Sequence, residues 1–150
     1  MIIAVDFDGT CVTHEFPSVG KDMGAAPVLR ELVKDCHKII LYTMRSDIEN
    51  PTSDDYNIHC KGGKYLTDAV NWFKENDIPL FGVNENPDQK TWTYSPKPYA
   101  DLYIDDSALG CPCILDENGK SYVNWITIAF LLYFKGALCE NSYKALNHYL

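Results

Sequence analysis

Asp6 and Asp8 stand two residues apart, followed by Gly9 and Thr10, where a short apolar run from Ile2 to Val5 stops. Alternate side chains of an extended strand point the same way, so the chain must turn at this point, and Gly9 permits the turn. A carboxylate at the strand tip can then act as a nucleophile, and a second one past the bend can reach a leaving group as an acid. A second acidic pair, Asp105-Asp106, closes another apolar run. Adjacent carboxylates repel, and a bound cation relieves the repulsion; magnesium suits a few carboxylates completed by water and phosphate oxygens. Thr43 ends the run Ile39-Ile40-Leu41-Tyr42 with a hydroxyl able to donate to a phosphoryl oxygen, and Lys97 stands between Pro96 and Pro98. Arg45, two residues past Thr43, is a further candidate for binding a substrate phosphate or other anion. Taken singly, each feature has an ordinary explanation. Asp-Gly is common in turns, an acidic strand end is commonly solvated, Thr is a common strand residue, and most loop cations are only hydrated.

The elements that must position these groups alternate. Ile2 to Val5 reads as a buried strand, and residues 11 to 23 as a loop or small flap. Val28, Leu29, Leu32, Val33 and Cys36 give helical spacing over Ala25 to Cys36. Lys38 to Thr43 is a second strand. A polar loop runs from Arg45 to Gly63, and Leu66, Ala69, Val70 and Phe73 mark a second helix, stopped by Asp77-Ile78-Pro79. Leu80 to Val83 and Ala100 to Ile104 are strands separated by a loop. Cys113 to Leu115 and Ser121 to Val123 flank Asp116-Glu117-Asn118-Gly119, a hairpin turn. Asn124 to Lys135 reads as a buried helix, and the tail from Glu140 adds one or two turns. Trp125, Phe130, Tyr133 and Phe134 are assigned to the core rather than to a ligand site. Strands alternating with helices imply right-handed crossovers and a parallel sheet. Chemistry in such sheets gathers outside the carboxyl ends of the strands, where Asp6, Thr43 and Asp105-Asp106 fall.

In this order the residues resemble the haloacid-dehalogenase-like superfamily over roughly residues 1 to 110. Asp6-Phe7-Asp8-Gly9-Thr10 resembles its first motif, the run ending at Thr43 its second, Lys97 its third, and Tyr103-Ile104-Asp105-Asp106 its fourth. The resemblance implies an α/β, three-layer Rossmann-like core around a mostly parallel sheet. It implies attack by Asp6 on phosphorus and an aspartyl-phosphate intermediate. Asp8 then protonates the leaving oxygen and later activates water, while Thr43 and Lys97 hold phosphoryl oxygens. Thr10 and Arg45 join Lys97 as expected substrate contacts. Magnesium (Mg2+) is expected on Asp6, the backbone carbonyl of Asp8, Asp105 and Asp106. Asp8 argues against carbon–halogen cleavage, because members with that chemistry lack the second Asp. The short spans between motifs leave no room for an inserted cap domain. The loops at 46–63, with Tyr56 and His59, and 84–96, with Trp92 and Tyr94, are candidate substitutes for one, and His14 in the flap is a candidate substrate contact. His37, at a helix–strand junction, is assigned a structural role.

Length and composition set the bounds. At 150 residues, one domain spanning 1–150 is expected. The content is 46% hydrophobic and 23% charged, ordinary for a globular protein. A net charge of -8 argues against anionic membranes and nucleic acid, although a phosphorylated nucleic-acid end stays open as a substrate. No secretory signal and no membrane span is read, and the six scattered cysteines include no CxxC pair, so free thiols in the cytoplasm are expected. The expected partner is a small phosphorylated metabolite, and an open site together with the aromatic-rich C-terminal helix points to a homodimer. Three rival readings use the same residues: a phospho-accepting signalling receiver, a phosphotransferase and a non-catalytic binding protein. A receiver places its acidic pair first and its phospho-acceptor mid-chain, the reverse of the order here.

Overall fold

The structure, a computed structural model, describes residues 1–49 and 62–149. The segment with Tyr56, His59 and Cys60 lies outside the described residues. The elements are β1 (Ile2–Val5), α1 (Ala25–Lys34), β2 (Lys38–Leu41), β3 (Asp47–Ile48), β4 (Gly63–Lys64), α2 (Tyr65–Glu75), β5 (Leu80–Val83), β6 (Leu102–Ile104), β7 (Cys113–Leu115), β8 (Ser121–Val123), α3 (Trp125–Phe134) and α4 (Glu140–Leu146).

The central sheet has four parallel strands in the order β5-β2-β1-β6. The expected α/β fold with a parallel sheet is thus present. Registers run Ile3 beside Ile39 and Leu102, and Val5 beside Leu41 and Ile104. Ile3, Val5, Ile39, Leu41 and Ile104 face one way and join a core with Val28, Leu29 and Leu32 of α1, Ala69 and Phe73 of α2, and Trp125, Ile128 and Leu132 of α3. Ala4 and Ile40 face the other way and pack with Ala100, Ile2 and Phe81. The handedness of the crossovers explains the asymmetry. Two right-handed connections step from β1 to β2 to β5 and lay α1 and α2 on one face. The return from β5 to β6 must cross the opposite face. It does so as the loop 84–101, whose short 3-10 turn at Gln89–Thr91 replaces a full helix.

Boundaries differ in detail from the sequence expectation. α1 ends at Lys34 and β2 at Leu41, although Tyr42 still donates its N–H to the Val5 carbonyl at 2.8 Å. Strand β6 begins at Leu102. The loop after Arg45 contains a two-residue antiparallel pairing of β3 with β4. Three helices end alike: Cys36, Asp77 and Gly136 take positive φ, and the next residue donates back to Leu32, Phe73 and Leu132 respectively. α3 corrects one expectation. Trp125, Ile128, Ala129 and Leu132 are buried, but Ile126, Phe130, Leu131, Tyr133 and Phe134 are exposed. A helix apolar on every side has no polar stripe to turn outward, so docking one face on the core leaves the other face bare. Among the described residues, no helix is long and apolar enough to cross a membrane.

Candidate active site

Asp6 follows β1 directly, and its N–H donates to the Ile104 carbonyl at 3.0 Å, continuing the pairing with β6 by one residue. Phe7 turns into the core, where it meets Trp72 and Phe73. The chain then coils tightly: Cys11 and Val12 both donate to the Phe7 carbonyl, and Gly9 donates to Val12 at 2.7 Å. Gly9 has φ +79°, and a Cβ there would come within 2.2 Å of the His14 ring and 2.8 Å of Asp106 Oδ2. Only glycine lets those side chains approach the turn so closely.

Asp6, Asp105 and Asp106 meet at the carboxyl edge of the sheet, each offering a carboxylate oxygen within 4.8 Å of the others. Their half-buried setting and hard oxygen donors could hold a metal ion. Burial, followed by the charges of Asp105, Asp106 and Asp8, pushes the Asp6 carboxyl up from 3.8 to about 7, against a lowering by the Phe7 backbone N–H. Among the described residues no Lys or Arg pairs with this cluster, and a bound cation would supply the positive charge.

Thr10 lies fully buried beneath the cluster. Its hydroxyl reaches Asp6 Oδ2 at 3.3 Å and Asp106 Oδ1 at 3.4 Å, and accepts the Asp106 N–H at 3.1 Å. It therefore ties the two acidic motifs to each other instead of facing solvent. Asp105 accepts the Ser107 N–H at 2.8 Å. His14 Nε2 lies 3.3 Å from Asp106 Oδ2 and 2.9 Å from the Ser121 carbonyl. Both neighbours are acceptors, which places the proton on Nε2.

Asp8 is not one of the three metal-capable carboxylates, although its charge acts on Asp6. Its oxygens take two bonds of 2.7 Å from Arg45, one from Nε and one from a terminal nitrogen. The Arg45 side chain is 1% exposed. It also donates to the carbonyls of Pro17, Ser18 and Tyr65, and its guanidinium lies over Phe7 and Phe16. Arg45 thus joins the turn after β1, the flap and the start of α2, and presents no free face to an anion. A buried cation needs this many partners.

Thr43 is half-buried beyond β2. Its N–H donates to the Asn84 side chain at 2.8 Å, and its hydroxyl accepts the Arg45 N–H. Lys97 is exposed, with its ammonium 5.0 Å from the centre of the Tyr103 ring. Asp6 has the strand parity of Ala4, the register partner of Tyr103, so Lys97 lies on the Asp6 face of the sheet. Among the described residues it forms no ion pair, with the acidic cluster or elsewhere.

Several contributors were invisible in the sequence. Gln89 is buried and donates to the carbonyls of Ser95 and Lys97 while accepting the Tyr99 N–H, so it sets the path of the chain around Lys97. Trp125 donates its indole N–H to the Thr10 carbonyl at 2.7 Å, and Val123 donates to the Gly9 carbonyl. These bonds fasten the turn after β1 to the start of α3. No local spacing signals any of them. Cys11 donates to the Asp6 carbonyl, and full burial pushes its thiol well up, which makes it an inert core group.

Among solved structures, the chain is similar to a conserved protein from Bacteroides thetaiotaomicron. The two are 27% identical, the match covers 90% of this chain and 91% of that one, and the TM-score is 0.64. That protein is described only as conserved, so the likeness bears on the fold. No protein-family model matches the sequence, and no curated protein matches it.

Proposed function

We propose that this chain is a magnesium-dependent phosphomonoester hydrolase of the haloacid-dehalogenase-like kind, working through an aspartyl-phosphate on Asp6. The observation that carries the reading is the meeting of Asp6, Asp105 and Asp106 at the carboxyl edge of the sheet, in the chain order of that superfamily's motifs. The donor set fits magnesium, which takes a few carboxylates and leaves positions for water and phosphate oxygens. Magnesium bound there would offset the repulsion between Asp6 and a phosphoryl dianion and stabilise the charge that spreads during transfer.

The side chains divide the remaining work. An oxygen of Asp6 attacks phosphorus in line, and the bond from phosphorus to the leaving oxygen breaks. Asp8 passes a proton to that oxygen. Water, giving a proton to Asp8, then attacks the phosphorus of the aspartyl-phosphate, and inorganic phosphate leaves as Asp6 is regenerated. At rest Arg45 holds both Asp8 oxygens as acceptors, which suits the second step. For the first step Asp8 must swing off Arg45 and take from solvent the proton it passes to the leaving oxygen. Thr10 fixes the distance between Asp6 and Asp106. Thr43 and Lys97 are the phosphoryl-oxygen donors. Lys97 would leave the Tyr103 ring to act, a small loss for an exposed cation. The substrate class proposed is a small phosphorylated metabolite.

Phosphate release from an aryl phosphate and a panel of metabolite phosphates tests this, with magnesium and with chelator. Magnesium-dependent turnover that falls at least about 1000-fold in Asp6→Asn is the expected result, since that change keeps shape and removes the nucleophile. A stable phosphoryl-enzyme from acetyl phosphate, without turnover of any ester, would replace this reading with a receiver or a transferase.

A further inference from the structure

The uncovered side of α3 continues into a groove. The groove has a volume of about 550 Å³ and runs between β6, the segment 108–112 and α3. Leu102, Ile104, Pro112, Ile128 and Leu132 line it, and Leu109, Leu131 and Phe134 stand at its margin. Phe134 is 82% exposed and Leu109 wholly so. Helical spacing sets Ile126, Phe130 and Phe134 in one row, with Tyr133 on one side of it and Leu131 on the other. No charged residue occurs from Trp125 to Phe134.

We propose that this face is the contact between two copies of the chain, packed about a twofold axis beside α3. Taking ~200 Å² for a large apolar side chain, the six exposed residues present roughly 700 Å² of apolar surface. A standard interface buries about 800 Å² per partner, whereas the largest patch on a typical monomer is about 300–600 Å². The surface carries both shapes that a twofold contact requires: Phe134 projects, and the groove beside it receives. Charge favours a second copy over an anionic membrane. Each copy carries net -8, but the contact face itself holds no carboxylate: α3 is uncharged from Trp125 to Phe134, and Lys135 is the charged residue that lines the groove. Two copies therefore meet with their carboxylates outside the contact, whereas an anionic membrane presents its charge at the contact plane. The groove wall at 108–112 leads directly from Asp105-Asp106 to β7, so a second copy would brace the segment that follows the acidic pair.

Sedimentation velocity of the full chain over a range of concentrations, at low and moderate salt, provides the test. The expected species is a dimer of the 17.0 kDa chain that tightens with salt as the repulsion between like-charged copies is screened. Phe134→Glu should weaken it roughly 30-fold or more, as loss of a central aromatic anchor does. Leu115→Glu, exposed on the β7–β8 hairpin and outside the groove lining, should leave it unchanged. Circular dichroism melts keep a folding defect distinct from a lost contact. A wild-type monomer at every concentration would overturn the proposal. So would a dimer indifferent to Phe134→Glu, or a monomer that sediments with anionic vesicles.

Discussion

Asp6 is held in a setting that costs the folded protein free energy. Its carboxyl titrates near 7 in the folded chain and near 3.8 in the reference state, chiefly because burial disfavours the charge. The folded state therefore binds a proton more tightly than the unfolded chain. Stability from this group is fullest below about pH 4 and is lost as pH rises through about 7. Asp6→Asn carries no such charge. Without metal it should melt above wild type at pH 8, by a margin on the order of a few kcal/mol that closes toward pH 4. Melting curves at the two pH values check this, and an equal gap at both would show that Asp6 is not ionising under strain. A substitution that stabilises the fold and abolishes turnover marks a residue kept for chemistry. Arg45 is the contrasting residue. Its buried guanidinium is neutralised by Asp8 and fully hydrogen-bonded, so charge there supports the site's geometry rather than waiting for a ligand.

The elements converge on the turn after β1. That turn is fixed by β6 through Asp6, by Arg45 through Asp8, by β8 through Gly9 and by α3 through Thr10. The bond from Trp125 to Thr10 is a tie between elements remote in sequence. Trp125→Phe keeps an aromatic ring in the core but leaves the Thr10 carbonyl without its donor. It should cost about 2–4 kcal/mol, the orphaned buried acceptor together with the space the smaller ring leaves. Since Thr10 spans Asp6 and Asp106, turnover should fall by more than the loss of folded protein explains. Chemical denaturation beside steady-state kinetics separates the two effects, and unchanged activity per folded molecule would refute the coupling. The loop 84–101 works similarly for Lys97: two buried amides, Asn86 and Gln89, take the place of a helix in ordering it.

Across the whole molecule, one sheet edge collects the carboxylates and the opposite-facing crossover collects the lysine. The metal-free chain should therefore behave as a protein with an unfilled positive position. Magnesium should raise the melting temperature of wild type at pH 8 in proportion to the logarithm of its concentration. Asp105→Asn should reduce that response strongly and leave the melt in chelator little altered. Thermal scans with and without magnesium measure both, and an equal response in the variant would remove Asp105 from the metal site. The proposed twofold contact lies on α3, outside the acidic cluster, so salt should tighten the dimer without mimicking magnesium.

Much of this was already in the order of residues. Four β-branched or apolar runs each stopped at a polar group, and local patterning of that kind fixes strands, helices and which chain ends carry chemistry. The acidic cluster followed, because a parallel sheet brings its strand tips to one edge. Partners remote in sequence did not follow. Arg45 looked like a free cation, and nothing local reveals that it closes on Asp8, 37 positions earlier. Thr10 looked like a substrate contact, yet folding places it under Asp106. The aromatic run in α3 has the composition of core, but composition does not say which side a helix with no polar stripe will bury. Those choices depend on how elements stack, and only the tertiary structure decides them.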